Sequence, residues 1–270
     1  MQYCRFQTED GPQYGELALR QGELWMVRVI APPPEDWSVV RLMKEFSACP
    51  VSELQLLAPV TPSKIVCIGR NYRDHAAELG NEVPKEPLLF LKPPSSVLAP
   101  GGAIRIPAIS KRVDFEGELG VVIARACYKL KPDEDVRSYI RGYTIVNDVT
   151  ARDLQKSDGQ WSRAKGFDTF CPVGPFVSED IDPAFDEKGG GATVTTRLNG
   201  EEKQHGSTKD LIFDVAVLLR HISAAMTLNP GDLIPTGTPA GVGPMQHGDV
   251  VEVEIEGLGV LRNSVIADNG

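Results

Sequence analysis

The segment "VDFEGELGVV", residues 113–122, places two glutamates, Glu116 and Glu118, among valine, leucine, phenylalanine and glycine. Residues two apart along a β-strand point to the same face, so this pattern predicts that the two carboxylates stand side by side. The apolar continuation "LGVVIA" indicates a strand that is buried on both faces. Three interpretations remain open: a solvated face, a carboxyl group that keeps its proton because its neighbour raises its pKa, or a cation held between the two carboxylates.

The composition is typical of a globular protein, and the net charge argues against a nucleic-acid partner. Of the 270 residues, 41% are hydrophobic and 24% are charged, and the net charge is −9. A negative chain lacks the clustered cations that phosphate contacts need, so we expect no nucleic-acid partner. The sequence contains neither an apolar run of about 18 residues nor a secretory signal pattern, so we expect no membrane span. The five scattered cysteines indicate reduced thiols and a cytoplasmic protein.

The sequence predicts a small N-terminal domain, residues 1–60, and a main domain, residues 61–270. Residues 13–30 contain two short strand patterns joined by the Gln-Gly pair at 21–22, which is typical of a β-hairpin. Three consecutive prolines follow and cannot continue a strand, because proline lacks the backbone donor.

The main domain is predicted to be β-rich with few helices. Runs such as "KIVCIG", "GYTIVND" and "DVVEVEIEG" alternate with turn residues, which favours a mostly antiparallel or mixed sheet architecture. One long helix is predicted to begin after Ser207-Thr208 and to end before "NPGD", and a shorter one is predicted over Asp133–Arg141. Residues 186–194 are predicted to connect two strands. The fold class predicted from these patterns is β-rich α+β.

A third carboxylate, Asp148, follows the apolar strand pattern "GYTIVN". Acidic side chains at strand ends commonly build functional sites. Three carboxylates without histidine or cysteine form an all-oxygen ligand set, which prefers Mg²⁺, Mn²⁺ or Ca²⁺ to Zn²⁺. The residues alone do not establish that Asp148 meets Glu116 and Glu118.

Seven segments of residues 61–265 together resemble the fumarylacetoacetate hydrolase superfamily. In chain order they are "CIGRNYRDHAAE", "EPLLFLKP", "DFEGELGVVI", "NDVTARDLQ", "AKGFDTFCPVGP", "LNGEEKQ" and "LIPTGTPAGVG". The resemblance implies a mixed β-sandwich roll and a homodimer. It also implies that Glu116, Glu118 and Asp148 bind a divalent metal, Mg²⁺ or Mn²⁺, with Ca²⁺ as a further option.

The same resemblance implies catalytic roles for His75, Glu78 and Lys165. His75 and Glu78 are three apart, so they share a helix face, and without the resemblance an exposed pair of this kind is more often a surface contact. In similar proteins that cleave their substrate, the pair activates a water or relays a proton, and the following segment, residues 79–87, closes over the site. Lys165 in "RAKGFD" would point into the site and stabilise an enolate or oxyanion.

Four more residues are expected to bind substrate. Arg152 and Gln155 follow Asp148 at i+4 and i+7, and a helical turn there would place all three on one side. By resemblance, Arg152 and Gln155 look like carboxylate binders, because a guanidinium matches a carboxylate in a fork. In "TGTP", Gly237 would offer a backbone amide and Thr238 a hydroxyl, although a plain glycine-rich turn explains the motif equally well.

These features predict a divalent-metal-dependent enzyme that acts on 2-oxo (β-diketo) acids through a metal-stabilised enolate. Because His75 and Glu78 are both present, the favoured reaction is C–C bond hydrolysis or decarboxylation, as in acylpyruvate hydrolases or oxaloacetate decarboxylases. The alternative is an isomerase or tautomerase of 2-hydroxyhepta-2,4-diene-1,7-dioate, 5-carboxymethyl-2-hydroxymuconate or oxaloacetate. Two more distant alternatives are a non-enzymatic β-rich binding module and an enzyme with Cys171 as its nucleophile.

Overall fold

The computed structural model describes residues 1–43, 46–78, 80, 82–185 and 190–268. The predicted segment over 79–87 and the predicted connection over 186–194 each include residues outside these ranges. The strands of the described residues are β1 (Gln2–Thr8), β2 (Gly11–Arg20), β3 (Glu23–Ile30), β4 (Cys49–Pro50), β5 (Leu56–Leu57), β6 (Ile65–Gly69), β7 (Leu88–Lys92), β8 (Val97–Leu98), β9 (Ala103–Pro107), β10 (Val113–Phe115), β11 (Gly117–Ile123), β12 (Ile140–Asn147), β13 (Thr150–Ala151), β14 (Cys171–Ser178), β15 (Thr193–Leu198), β16 (Glu201–Ser207), β17 (Leu233–Pro235), β18 (Gly243–Met245), β19 (Val250–Ile255) and β20 (Gly259–Asp268).

Helices are few and short. The α-helices of the described residues are α1 (Arg73–Glu78), α2 (Arg152–Asp158), α3 (Ser162–Lys165) and α4 (Val215–Ala225), and single 3₁₀ turns lie at Val51–Glu53, Pro94–Ser96, Val136–Tyr139 and Thr208–Asp210. Strands account for 43% of the model and helices for 16%, so the predicted β-rich α+β class is confirmed. None of the helices in the described part of the chain is long and apolar enough to span a membrane.

The strands of the described residues form three sheets. The largest has the order β4-β3-β2-β1-β14-β12-β11-β17-β6-β7, with β5 paired to β1 and β8 paired to β14. A five-stranded sheet has the order β16-β15-β19-β20-β9, and a small one has the order β13-β10-β18. Most pairs are antiparallel, whereas β14–β8, β17–β6 and β20–β9 are parallel, so the sheets are mixed as predicted.

The core lies on both faces of the large sheet, and β11 is buried along its whole length. Leu119 and Val121 face a cluster that includes the apolar side of α4, whereas Val122 faces a second cluster on the opposite side. Burying an apolar side chain such as valine or leucine contributes about 1.5–3 kcal/mol. The sequence prediction of a strand buried on both faces is therefore confirmed.

The helix boundaries differ from the sequence predictions for local reasons. The long helix begins at Val215 rather than just after Thr208, because the Asp214 side chain accepts a hydrogen bond from the Val217 amide and caps the helix there. The predicted helix over Asp133–Arg141 is wrong. That segment forms only one 3₁₀ turn, and β12 already begins at Ile140, where its backbone groups pair with β11.

The N-terminal segment extends the large sheet. β2 and β3 form the predicted hairpin, and its turn residues have φ of 52° at Gln21 and 85° at Gly22, as a two-residue hairpin loop requires. β1 pairs with β14 through Gln2–Ser178 and Tyr3–Val177, so residues on both sides of the predicted boundary share one sheet. The division at residue 60 stays a prediction.

Candidate metal centre and substrate cavity

The three predicted metal ligands meet where two sheets join. Glu116 occupies the single position between β10 and β11, where the chain leaves the small sheet and enters the large one. β11 pairs with β12 in a register that sets Gly117 opposite Asn147, and the Asp148 amide donates to the Glu116 carbonyl at 2.8 Å. One carboxylate oxygen each from Glu116, Glu118 and Asp148 therefore lie within 4.8 Å of one another.

Glycine is required between the two glutamates because the chain is crowded there. A Cβ on Gly117 would lie 2.2 Å from the Thr196 hydroxyl oxygen. The Gly117 amide donates to Gln204 Oε1 at 2.9 Å, and Gln204 Nε2 donates to the Thr238 hydroxyl at 2.7 Å. This close approach holds the backbone that carries both carboxylates in one position.

Two buried lysines compensate part of the negative charge. Lys165 Nζ donates to Asp148 at 2.6 Å, to Glu116 at 3.0 Å and to the Thr150 hydroxyl at 2.8 Å. Burial alone lowers the pKa of Lys165, but the Asp148 and Glu116 carboxylates outweigh it and raise the pKa to about 12. Lys92 Nζ donates to the other oxygen of Asp148 at 2.6 Å. The Lys165 ammonium group therefore remains charged at neutral pH.

Glu118 is the least compensated of the three carboxylates. It forms no ion pair with any described residue, and its Oε2 accepts a hydrogen bond from the Gly237 amide at 2.7 Å. Burial and the neighbouring carboxylates of Asp148 and Glu116 raise the pKa of Glu118 well above its ordinary value. A divalent cation would relieve this repulsion, and an all-carboxylate set suits a hard cation. The residues present thus fit the metal that the resemblance implies.

Arg152 is held by the protein's own carboxylates. Its Nε donates to Asp114 at 2.9 Å, its Nη2 to Glu116 at 2.5 Å and its Nη1 to Gln155 Oε1 at 3.1 Å. Burial alone would raise the pKa of Glu116, but Arg152 and Lys165 outweigh it and hold the pKa well below its usual range. The predicted helical turn from Asp148 through Arg152 is wrong, because α2 begins only at Arg152 and β13 lies between them.

A cavity of about 450 Å³ opens over the carboxylates. Its lining includes the polar or aromatic side chains of Arg70, His75, Phe90, Glu116, Glu118, Arg152, Gln155, Trp161 and Lys165. Most of the predicted catalytic and substrate-binding residues thus share one cavity. Thr238 and Lys156 also line it, whereas Glu78 and Gly237 are not among its lining residues.

The predicted His75–Glu78 contact forms across one face of α1. His75 Nδ1 lies 3.4 Å from Glu78 Oε2, which is longer than the usual 2.9–3.0 Å of an N–H···O bond. Glu78 is 32% exposed at its side chain and accepts from the Gly241 amide at 3.1 and 3.2 Å. His75 itself is buried and lines the cavity, whereas Glu78 is not among the lining residues.

Gly237 and Thr238 are occupied by contacts within the protein. The Gly237 amide holds Glu118, and the Thr238 hydroxyl donates to the Gly117 carbonyl at 2.9 Å. The Gly237 amide thus positions Glu118, and Thr238 supports the backbone between the two glutamates while it also lines the cavity. Their predicted contacts with substrate stay predictions.

Cys171 does not have the surroundings of a nucleophile. It is fully buried in β14, and burial raises the pKa of its thiol to about 12. The thiolate is the reactive form of cysteine, so this environment suppresses reactivity. This environment argues against the Cys171 alternative.

Sequence reasoning missed two cations of this centre. Lys92 ends the apolar run "PLLFLK", and a lysine in a buried strand pattern was a usable signal for a paired buried charge. Arg70 follows the strand "KIVCIG" directly and lines the cavity, where a charged residue at a strand end was the signal. Neither signal identifies the partner, because the contacts form between distant parts of the chain.

Comparison with known proteins places these residues in a family context. The model of the fumarylacetoacetate (FAA) hydrolase C-terminal domain matches residues 64–266. An uncharacterised protein of Methanocaldococcus jannaschii is 54% identical over 206 residues, covering 76% of this chain and 84% of its own. The oxaloacetate tautomerase YisK of Bacillus subtilis is 41% identical, covering 80% and 74%. The mitochondrial oxaloacetate tautomerase fahd2 of Xenopus laevis is 43% identical, covering 80% and 69%.

Solved structures of similar chains cover this chain almost completely. A 2-hydroxyhepta-2,4-diene-1,7-dioate isomerase from Mycobacterium marinum superposes with a TM-score of 0.85 at 42% identity, covering 100% of both chains. A 5-carboxymethyl-2-hydroxymuconate delta-isomerase from Mycobacterium smegmatis gives a TM-score of 0.85 at 38% identity, covering 99% of this chain and 100% of its own.

Proposed function

The chain belongs to the fumarylacetoacetate hydrolase family, and we propose that it is a divalent-metal-dependent tautomerase or isomerase of 2-oxo acids. The observation that carries this proposal is the convergence of Glu116, Glu118 and Asp148 beneath a cavity that also contains Lys165 and His75. When bound, a Mg²⁺ or Mn²⁺ ion would supply Lewis-acid stabilisation for negative charge on the 2-oxo oxygen.

Besides the metal, we assign Lys165 and His75 to the proton transfer. Lys165 stays protonated because its pKa is raised to about 12, so it stabilises charge on the substrate oxygen and is not the base. Histidine is the side chain whose ordinary pKa lies nearest neutrality, and His75 is the histidine at the cavity wall. We assign to His75 Nε2 the transfer of one proton between the enol oxygen of the substrate and its C3: Nε2 takes the proton from one atom and returns it to the other, and Nδ1 faces Glu78.

Tautomerisation or isomerisation is favoured over bond cleavage by the similar proteins and by the site. The relatives and structures named above include two oxaloacetate tautomerases and two dienoate isomerases. Moving a proton requires one acid–base group, whereas hydrolysis also requires a water held for attack. Among the described residues that line the cavity, one histidine, His75, can serve as that group.

C–C bond hydrolysis or decarboxylation is the second candidate. The observation in its favour is the His75–Glu78 pair, which is the element that the family's cleaving enzymes are expected to use for water activation. The two candidates share the carboxylate centre and differ in whether a C–C bond of the substrate breaks.

One assay on oxaloacetate separates the two reactions. Protein freed of metal with EDTA is given Mg²⁺, and enol–keto interconversion and pyruvate formation are followed separately on the same sample. We expect Mg²⁺-dependent interconversion at least tenfold faster than pyruvate formation. Pyruvate formation at an equal or higher rate contradicts the tautomerase proposal and favours decarboxylation. Rapid cleavage of acetylpyruvate in the same buffer would favour the acylpyruvate hydrolase.

The expected partners and location of the protein accompany this proposal. A small 2-oxo acid is the proposed substrate, and no nucleic-acid or membrane partner is expected. A homodimer and a cytoplasmic location also stay predictions. Sedimentation equilibrium measures the first, and cell fractionation measures the second.

A further inference from the structure

An aromatic wall connects the carboxylate centre to the outer part of the cavity. Lys165 Nζ lies 4.7 Å from the centre of the Phe90 ring, and Phe90 packs edge-to-face on Trp161 with ring centroids 5.3 Å apart. The guanidinium carbon of Arg70 lies 6.0 Å from the centroid of the Trp161 ring. The wall therefore has one cation at the metal end and a second cation, Arg70, at the other end.

The backbone holds Arg70 in an unusual conformation. Its φ is +56°, in the left-handed region that residues other than glycine rarely adopt, at a cost of about 1–2 kcal/mol. The neighbouring Asn71 fixes this conformation from inside the protein, because its side chain bonds to the Phe213 amide at 2.9 Å, the Phe213 carbonyl at 3.0 Å and the Thr236 carbonyl at 2.8 Å. Such conformations concentrate at binding sites, where they aim a side chain.

Some cations of the cavity are paired with carboxylates of the protein, and others are not. Lys165 and Lys92 form ion pairs with Asp148, one of the predicted metal ligands, and Arg152 forms one with Asp114. Arg70 and Lys156 also line the cavity, and neither forms an ion pair with a carboxylate of the described residues. Their charges are thus available to an anionic group of a ligand at a distance from the metal end.

We propose that Arg70, assisted by Lys156, binds the terminal carboxylate of a dicarboxylate 2-oxo acid. This inference rests on the proposed function, which places the 2-oxo carboxylate end of the substrate at Glu116, Glu118 and Asp148. The planar guanidinium matches a carboxylate in a two-bond fork, and the aromatic wall packs against the carbon chain between the two ends. A 2-oxo acid with a neutral tail leaves Arg70 without its partner, so the site selects diacids.

Two acids of equal chain length test this selection by binding. Calorimetry in Mg²⁺ compares 2-oxoglutarate with 2-oxovalerate, which has a methyl group in place of the terminal carboxylate. A charge-assisted hydrogen bond predicts that the wild-type protein binds 2-oxoglutarate about 10- to 100-fold more tightly. In Arg70→Gln we expect this ratio to fall below about threefold, and in the exposed Lys156→Gln we expect an intermediate ratio. The matched control is Arg20→Gln, because Arg20 stacks on Trp25 at 5.7 Å outside the cavity.

The outcomes separate this inference from the proposed function. Equal binding of the two acids by wild-type protein, binding of neither acid, or a full ratio in Arg70→Gln overturns the inference. A ratio that collapses only in the cavity variants supports it, and Arg20→Gln must then keep the wild-type ratio. The ratio can also be lost in the cavity variants alone while the wild-type protein shows no tautomerase or isomerase activity on any diacid. In that case the proposed reaction is wrong, and Arg70 still binds the terminal carboxylate.

Discussion

Replacing Glu118 by glutamine is expected to stabilise the metal-free protein. Glu118 is buried, lies within 4.8 Å of two other carboxylates and forms no ion pair with a described residue. An uncompensated buried charge costs about 3–5 kcal/mol, and the Gly237 amide and the nearby Lys165 charge offset part of this cost. We expect Glu118→Gln to raise the free energy of unfolding by about 2 kcal/mol, hence the Tm by about 4–8 °C.

The same substitution is expected to remove the response to metal. A ligand at 100 times its Kd stabilises the folded state by about 2.7 kcal/mol, which predicts a rise of about 5–11 °C in the Tm of the wild-type protein. Glutamine at position 118 removes one anionic ligand, so Mn²⁺ should shift its Tm by less than about 2 °C. Differential scanning fluorimetry of EDTA-treated protein, with and without Mn²⁺, measures both effects.

The effect of Glu118→Gln on the free energy of unfolding is expected to depend on pH. Because the pKa of Glu118 is raised in the folded state, its destabilising effect is absent below the unfolded pKa of about 4.3 and grows as the pH rises towards the folded pKa. The advantage of Glu118→Gln should therefore be small near pH 4 and larger near pH 7. The exposed Glu53→Gln serves as the control. A metal-free Glu118→Gln protein that is less stable than wild type at pH 7, or that keeps the full Mn²⁺ shift, refutes the reasoning.

Three further substitutions address the neighbouring residues. Lys92→Met should lower the free energy of unfolding of the metal-free protein by about 3 kcal/mol in urea, because one oxygen of Asp148 loses its buried partner; a loss below about 1 kcal/mol contradicts this. Lys165→Met should lower kcat about 10²-fold, because it removes the ammonium group that stabilises charge on the substrate oxygen. It should not weaken Mn²⁺ binding, because Lys165 contacts the same carboxylates, Glu116 and Asp148, that would bind the metal. A higher Kd for Mn²⁺ in this variant argues against the assignment. Glu78→Gln should lower kcat for tautomerisation less than about tenfold, and a loss above about 10³-fold would show that Glu78 does more than orient an imidazole.

The local part of the carboxylate centre could be predicted from the sequence. Glu116 and Glu118 are two residues apart next to a buried strand, and a period of two places their side chains together. The position of Asp148 beside them depends on the β11–β12 register, which cannot be read from the sequence pattern alone. The family resemblance supplied that contact, because similar sequences share a register.

The contacts between distant segments could not be read from sequence patterns. Lys92 binds Asp148 across 56 residues, and Arg152 reaches Glu116 across 36. A predicted helix boundary was wrong where a local hydrogen bond determines the start of the helix, as at the Asp214 cap. Ion pairs of this kind depend on how separate sheets pack, whereas hairpins such as the one at Gln21 depend on adjacent residues alone.

The most direct test of the carboxylate centre is a crystal of the Mn²⁺-loaded protein, measured at the manganese absorption edge. We expect one anomalous peak, coordinated by carboxylate oxygens of Glu116, Glu118 and Asp148 together. We also expect that Lys165 keeps at most one of its two carboxylate contacts. A cavity without an anomalous peak, with Lys165 still bridging Glu116 and Asp148, would contradict the central claim.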